Sequence, residues 1–278
     1  MTEQRIAVVT GANQGIGYAL VEELANRMNP EDLVLLTGRN PERVAEAAAR
    51  VHGVARVEGR VLDVTDREAV ERLAEEVGAV DFVVSNAIGP LEPGKAPVEQ
   101  VDEFVDVANL GAQYMLRAFG PILRPGGRLI VVASSLGTLE QLPETLWSRF
   151  DDASLEDVEK VVEEWRTAVH DGTATQQGWP EWVNLPSKVA QVAAVRAVAA
   201  ERRERDLAEN TLVASVCPGL VDTRASRPWF DDFSQAKSPA DAVQPIADLL
   251  LSDQVDPAQY GELIRDGEIV AWKPSSRR

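Results

Sequence analysis

The first twenty-eight residues constrain the fold most. Arg5-Ile6-Ala7-Val8-Val9-Thr10 is an apolar run of strand length, and Thr10-Gly11-Ala12-Asn13-Gln14-Gly15-Ile16-Gly17 is too rich in glycine to continue it. Apolar residues then return at helical spacing through Ile16, Leu20, Val21, Leu24 and Met28. The same alternation recurs down the chain. Further strands are expected at Leu33–Thr37, Val57–Val64, Val80–Ser85, Arg128–Ala133 (announced by Pro125-Gly126-Gly127), Leu212–Val216 and, as a short edge strand, Glu262–Arg265. Helices are expected from Pro41 to about Val51, over Arg67–Val77 and Val101–Phe119, and from about Pro186 to Arg205, the last with an apolar face on Val189, Val192, Val195 and Ala199. Strands alternating with helices imply an α/β fold, a doubly wound parallel sheet of about seven strands covered on both faces.

One stretch breaks the alternation. Between Gly137 and Trp182, Ser154-Leu155-Glu156-Asp157 fits a capping box, and Val158, Val161, Val162, Trp165 and Val169 share one face of the helix it opens. Residues 137–182 are therefore expected to form an inserted helical flap ending at Gly178-Trp179-Pro180. No repeat or linker divides the chain, so residues 1–278 are expected to be a single domain.

Charge and composition narrow the partners. A net charge of −17 argues against nucleic acid or an anionic membrane surface. Cys217 is the single cysteine and the histidines, His52 and His170, are far apart, so neither a disulfide nor a metal cluster is expected. The first strand begins within ten residues of Met1 and no apolar run approaches a membrane span, which points to a cytoplasmic setting.

A glycine-rich turn between a strand and a helix lets a pyrophosphate approach the helix's first amides closely. This one resembles the Thr-Gly-x-x-x-Gly-x-Gly motif of the short-chain dehydrogenase/reductase family, which implies a Rossmann-type fold. Further matches fall in order along nearly the whole chain: Asp63-Val64 after strand three, Ser85-Asn86-Ala87-Ile88 after strand four, Asn109 in the following helix, Ser134-Ser135 after strand five and Cys217-Pro218-Gly219 after strand six. The resemblance implies a cofactor set of Gly11, Asn13, Gln14, Gly15, Ile16, Gly17, Asp63, Val64, Asn86, Ala87, Lys188, Pro218, Gly219, Val221 and Thr223. The flap is similar to that of the family's monomeric carbonyl reductases, which implies a monomer with the flap beside the substrate cleft.

The family's Tyr-x-x-x-Lys is here Asn184-Leu185-Pro186-Ser187-Lys188. In the family the lysine binds the nicotinamide ribose and lowers the tyrosine's pKa. A carboxamide has no titratable proton near neutral pH, so Asn184 can orient a substrate oxygen but cannot protonate it. The resemblance implies Ser135, Asn184, Lys188 and Asn109 as the catalytic set. Tyr18, Tyr114 and Tyr260 are expected in packing or surface roles, and Glu181 as a solvated loop carboxylate. Trp179 and Trp182 are expected to pack the flap, although an aromatic wall would suit a flat, apolar small molecule. Three readings stay open: an NADPH-dependent reductase of a carbonyl or related unsaturated compound, a non-redox dehydratase, cyclase or isomerase, and a non-catalytic NADPH-binding sensor.

Strand two ends in Thr37-Gly38-Arg39, with no acid to hold an adenine-ribose hydroxyl. An arginine there suits the 2′-phosphate of NADP(H). NADPH is therefore expected to bind more tightly than NADH, and the two dissociation constants, measured on the same protein, check it.

Overall fold

The structure, a computed structural model, describes residues 4–274. Eight strands form one sheet in the order β3-β2-β1-β4-β5-β6-β7-β8. They are β1 (Ile6–Val9), β2 (Leu33–Gly38), β3 (Arg56–Val61), β4 (Val80–Ser85), β5 (Leu123–Val132), β6 (Leu212–Val216), β7 (Leu263–Arg265) and β8 (Glu268–Val270). Every pairing is parallel except β7 with β8. β1 is flanked by β2 and β4, so the chain winds outward from β1 to β3 and then crosses to start the other half at β4. The loops leaving β1 and β4 diverge there, which is where an open α/β sheet forms its ligand crevice.

The uniform apolar runs have a physical cause. All six residues of β2 and all five of β6 are buried, because helices cover both faces of the sheet. Those helices are α1 (Gly15–Arg27), α2 (Pro41–Arg50), α3 (Arg67–Val77), α4 (Val101–Val105), α5 (Gly111–Phe119), α6 (Leu155–His170), α7 (Asn184–Ala208) and α8 (Pro239–Leu251). A single hydrophobic cluster runs from Ala7 to Trp272, and it includes the buried face of α6.

Several expectations change. The helix anticipated over Val101–Phe119 is interrupted by a widened π turn, Asp106–Leu110, between α4 and α5. The third strand stops at Val61, so Asp63 and Val64 lie in the loop beyond it, where the Asp63 carboxylate accepts from the Thr65 amide at 3.0 Å. The fifth strand starts at Leu123, and its pairing with β4 is irregular around the Pro125-Gly126 step. α8 and β8 were not anticipated, and β8 displaces β7 from the sheet edge. Among the described residues no helix is long and apolar enough to cross a membrane.

The flap forms as its capping box indicates. Ser154 Oγ accepts from the Asp157 amide at 3.1 Å, and Leu155, Val158, Val161, Val162, Trp165 and Ala168 of α6 are buried. Val169 is only partly buried. Ion pairs fasten α6 to the helix behind it: Arg166 to Asp106 at 2.5 Å, and Arg117 to Glu156 and Glu159 at 2.8 and 2.7 Å. Losing the cap removes a partner from the first turn of α6, so Ser154→Ala is expected to lower stability by about 1 kcal/mol, read from urea unfolding.

Candidate functional site

The turn after β1 is held flat by contacts with the end of β4. Thr10 is fully buried, and its Oγ1 accepts from the Asn86 and Ala87 amides at 2.9 and 3.1 Å. The Asn86 carboxamide returns the tie, donating to the Thr10 and Gly11 carbonyls at 2.9 and 3.3 Å. Gly11 has φ +60°, and a Cβ there would lie 2.8 Å from Ala87 Cα. At Gly17 a Cβ would meet Asn86 Nδ2 at 2.5 Å and the Gly11 carbonyl oxygen at 2.7 Å. Both glycines are thus required by close approach. α1 opens just after Gln14, whose extended backbone supplies no side-chain cap, so the first amides of the helix have no side-chain capping partner.

Those amides border a cavity of about 280 Å³. Its wall brings together Gly11, Asn13, Gln14, Gly15, Ile16, Arg39, Asp63, Val64, Asn86, Ala87 and Thr223. Gly17 lies beneath the turn, while Lys188, Pro218, Gly219 and Val221 are not on the cavity wall. Val221 is buried and bridged to Lys237. Arg39 reaches across the opening to Glu103 at 3.1 Å, both side chains being largely exposed. Arg43 and Arg224 also line the cavity, and neither forms an ion pair among the described residues. Arg43 was legible in principle, standing four residues after Arg39.

A second group gathers around the first turns of α7. Asn184 is the first residue of that helix and Lys188 lies one turn on, buried to 5% exposure. The turn Ser135–Gly137 packs against them: a Cβ on Gly137 would sit 2.6 Å from Val192 Cγ2 and 2.8 Å from the Lys188 carbonyl oxygen. Ser134 is spent within that turn, accepting from the Leu136 amide at 3.2 Å. The Ser135 hydroxyl and the Asn184 carboxamide are partly exposed and make no hydrogen bond among the described residues. Asn109 is engaged on both sides, accepting from the Ser187 hydroxyl at 2.7 Å and donating to the Ser187 carbonyl at 2.9 Å. Lys188 donates to Gln191 Oε1 at 2.7 Å. Burial pushes the Lys188 ammonium down to about 8, with Cys217 acting in the opposite sense.

No tyrosine stands in for the missing phenol. Tyr18 lies under Arg50 on α1, Tyr114 is on α5, and the Tyr260 hydroxyl donates to Asp206 at 2.7 Å, near the far end of α7. Glu181 is exposed. Trp179 is buried in the flap against Phe150 and Trp165. Trp182 instead meets Trp229, with ring centroids 5.5 Å apart, joining the end of the flap to the loop after β6.

A family model described as short chain dehydrogenase matches residues 5–147, and the chain belongs to that family. Among curated relatives, carbonyl reductase (NADPH) 3 of Mus musculus is 28% identical over 287 residues, covering 96% of this chain and 98% of the relative. Carbonyl reductase (NADPH) 1 of Bos taurus is 27% identical, with 96% and 98% covered. Among solved structures, salutaridine reductase from Papaver somniferum superposes with a TM-score of 0.78 at 21% identity, covering 94% of this chain and 99% of that one.

The Gly137 contact generates a stability test. Gly137→Ala forces a methyl group into backbone and Val192, and it is expected to cost roughly 1–3 kcal/mol in chemical denaturation.

Proposed function

We propose that this protein is an NADPH-dependent oxidoreductase of the carbonyl reductase kind, acting on a carbonyl or related unsaturated small molecule with an altered proton economy. The observation that carries the reading is the pairing of a nucleotide cradle with a buried lysine one turn from a carboxamide. The cradle fits the cofactor: a positive-φ glycine, a close approach that a Cβ would fill, and amides at the start of α1 that no side chain caps. The relatives named as NADPH carbonyl reductases support the same choice.

In this reading the pyrophosphate rests on the amides from Gly15 to Gly17, and Asp63 and Val64 flank the adenine. Arg39, released from Glu103, and Arg43 hold the 2′-phosphate. The reduced nicotinamide supplies hydride when bound. Lys188 offers its ammonium to the ribose hydroxyls, and its charge also favours negative charge developing on a substrate oxygen. Ser135 and Asn184 donate to that oxygen and fix its direction. Neither carries a proton it can lose readily near neutral pH, so neither completes an alcohol, and in this reading water is the proton source.

The flap and the Trp182–Trp229 pair would border the substrate, which suits a flat, apolar molecule. α6 packs on α4 and the widened turn and is tied by ion pairs to that turn and to α5, which supports a monomer. A single domain and a cytoplasmic setting belong to the same reading. The carboxamide at position 184 also favours a second reading, in which the cofactor is retained for structure and the substrate is dehydrated, cyclised or isomerised without turnover of NADPH.

The decisive measurement is NADPH absorbance at 340 nm with a panel of ketones, quinones and enones, followed by product analysis. The reductase reading requires one NADPH consumed per product; product without NADPH loss selects the second reading. Because a general acid is worth about 10²–10⁴ in rate, Asn184→Tyr is expected to raise simple ketone reduction about a hundredfold. An unchanged rate in a folded variant that binds NADPH would overturn the assignment of position 184 to the substrate oxygen.

A further inference from the structure

Lys188 is buried, where an ammonium needs an acceptor, yet no carboxylate pairs with it among the described residues. Its acceptor comes from its own helix, three residues on. Gln191 is 3% exposed and uses both ends of its carboxamide: Oε1 accepts from Lys188 Nζ at 2.7 Å, while Nε2 donates to the Ala108 carbonyl at 2.7 Å. Ala108 belongs to the widened turn Asp106–Leu110 that also carries Asn109. The amide is thereby oriented, since flipping it would place an NH₂ against an ammonium and an oxygen against a carbonyl.

We propose that Gln191 is a positioning residue, holding the Lys188 ammonium at a fixed point and keeping it charged by bridging it to the turn that carries Asn109. Its relevance to cofactor binding rests on the reading that Lys188 holds the nicotinamide ribose; its effect on Lys188 does not. A carboxamide accepts the ammonium's hydrogen bond without passing a proton on. The bridge therefore fixes the charge but provides no route for protons along Lys188–Gln191–Ala108, in keeping with a site whose acid has become Asn184.

The other groups around Lys188 do not replace this acceptor. Cys217 at the end of β6 acts on it electrostatically and its thiol is at best a weak acceptor. Asn109 and Ser187 are occupied with each other, Ser134 with the Leu136 amide, and Asp106 with Arg166.

The chain has five lysines, so the side-chain Cε and Nζ resonances can be followed by NMR in the nucleotide-free protein across pH 6–11. Wild-type Lys188 is expected to titrate near 8, assigned by its loss in Lys188→Met. Gln191→Met keeps the length of the side chain but removes the acceptor, and the midpoint is expected to fall by about one pH unit. Gln191→Glu loses the donation to Ala108 but keeps an acceptor for the ammonium and adds a charge, and the midpoint is expected to rise above wild type. A purely structural role would lower melting temperature in both variants without moving the midpoints in opposite directions. Unmoved midpoints, or shifts of the same sign, would overturn the proposal.

NADPH affinity at pH 7 then tests the link to function separately. Gln191→Met is expected to weaken it about tenfold and Gln191→Glu, which keeps the lysine charged but loses the bridge to Ala108, to recover only part of the loss. Opposite NMR shifts with unchanged NADPH affinity would leave the positioning role intact and refute the ribose assignment.

Discussion

The Thr10 hydroxyl carries more of this architecture than its size suggests. Two amides from the end of β4 converge on it, and the Asn86 carboxamide returns to the Thr10 and Gly11 carbonyls. This reciprocal set ties the two strands at the point where the sheet changes its direction of winding. Polar groups buried so deeply are costly unless all are paired, so the arrangement rigidifies the turn as well as satisfying it. With the turn fixed against Ala87, glycine becomes obligatory at position 11, and α1 starts where its free amides face the crevice.

The second organising element is α7. Its first turns receive the turn at Ser135–Gly137 through the missing side chain of Gly137 and the widened turn through Asn109 and Gln191, while just ahead of the helix the loop after β6 is joined through Trp182 and Trp229. Each contact is made by a different kind of interaction, respectively steric closeness, hydrogen bonding and aromatic packing. The candidate catalytic group is consequently built on a helix end braced from three directions, which favours precise placement of Asn184 and Lys188.

Much of this was legible in the residues because local signals agreed with the global pattern. The strand–turn–helix opening, the Ser154 cap and the flap's apolar stripe all describe short-range periodicity or capping, and they formed as read apart from Val169, which is only partly buried. α8 escaped notice because Pro245 interrupts its stripe, although Ser238-Pro239 with Asp241 is a sound helix start and the Ser238 hydroxyl does accept from the Asp241 amide. β7 forms within the short strand expected at Glu262–Arg265, whereas β8, also only three residues, is too short for alternation to register. Their turn did carry a signal: Asp266-Gly267 has positive φ at both residues, 51° and 85°, as a tight hairpin needs. Gln191 had no local signature. A glutamine in an apolar stretch of helix resembles a solvent-facing residue, and only the packing of α7 on the widened turn gives its two ends partners.

That widened turn serves two masters. On one side Asp106 anchors the flap through Arg166; on the other, Asn109 and the Ala108 carbonyl brace α7. A regular α-helix advances each residue by about 100° around its axis, so the irregularity sets which way everything after it points. The flap and the lysine are therefore geared to one backbone irregularity: trimming the helix by a residue there would turn both couplings out of register together.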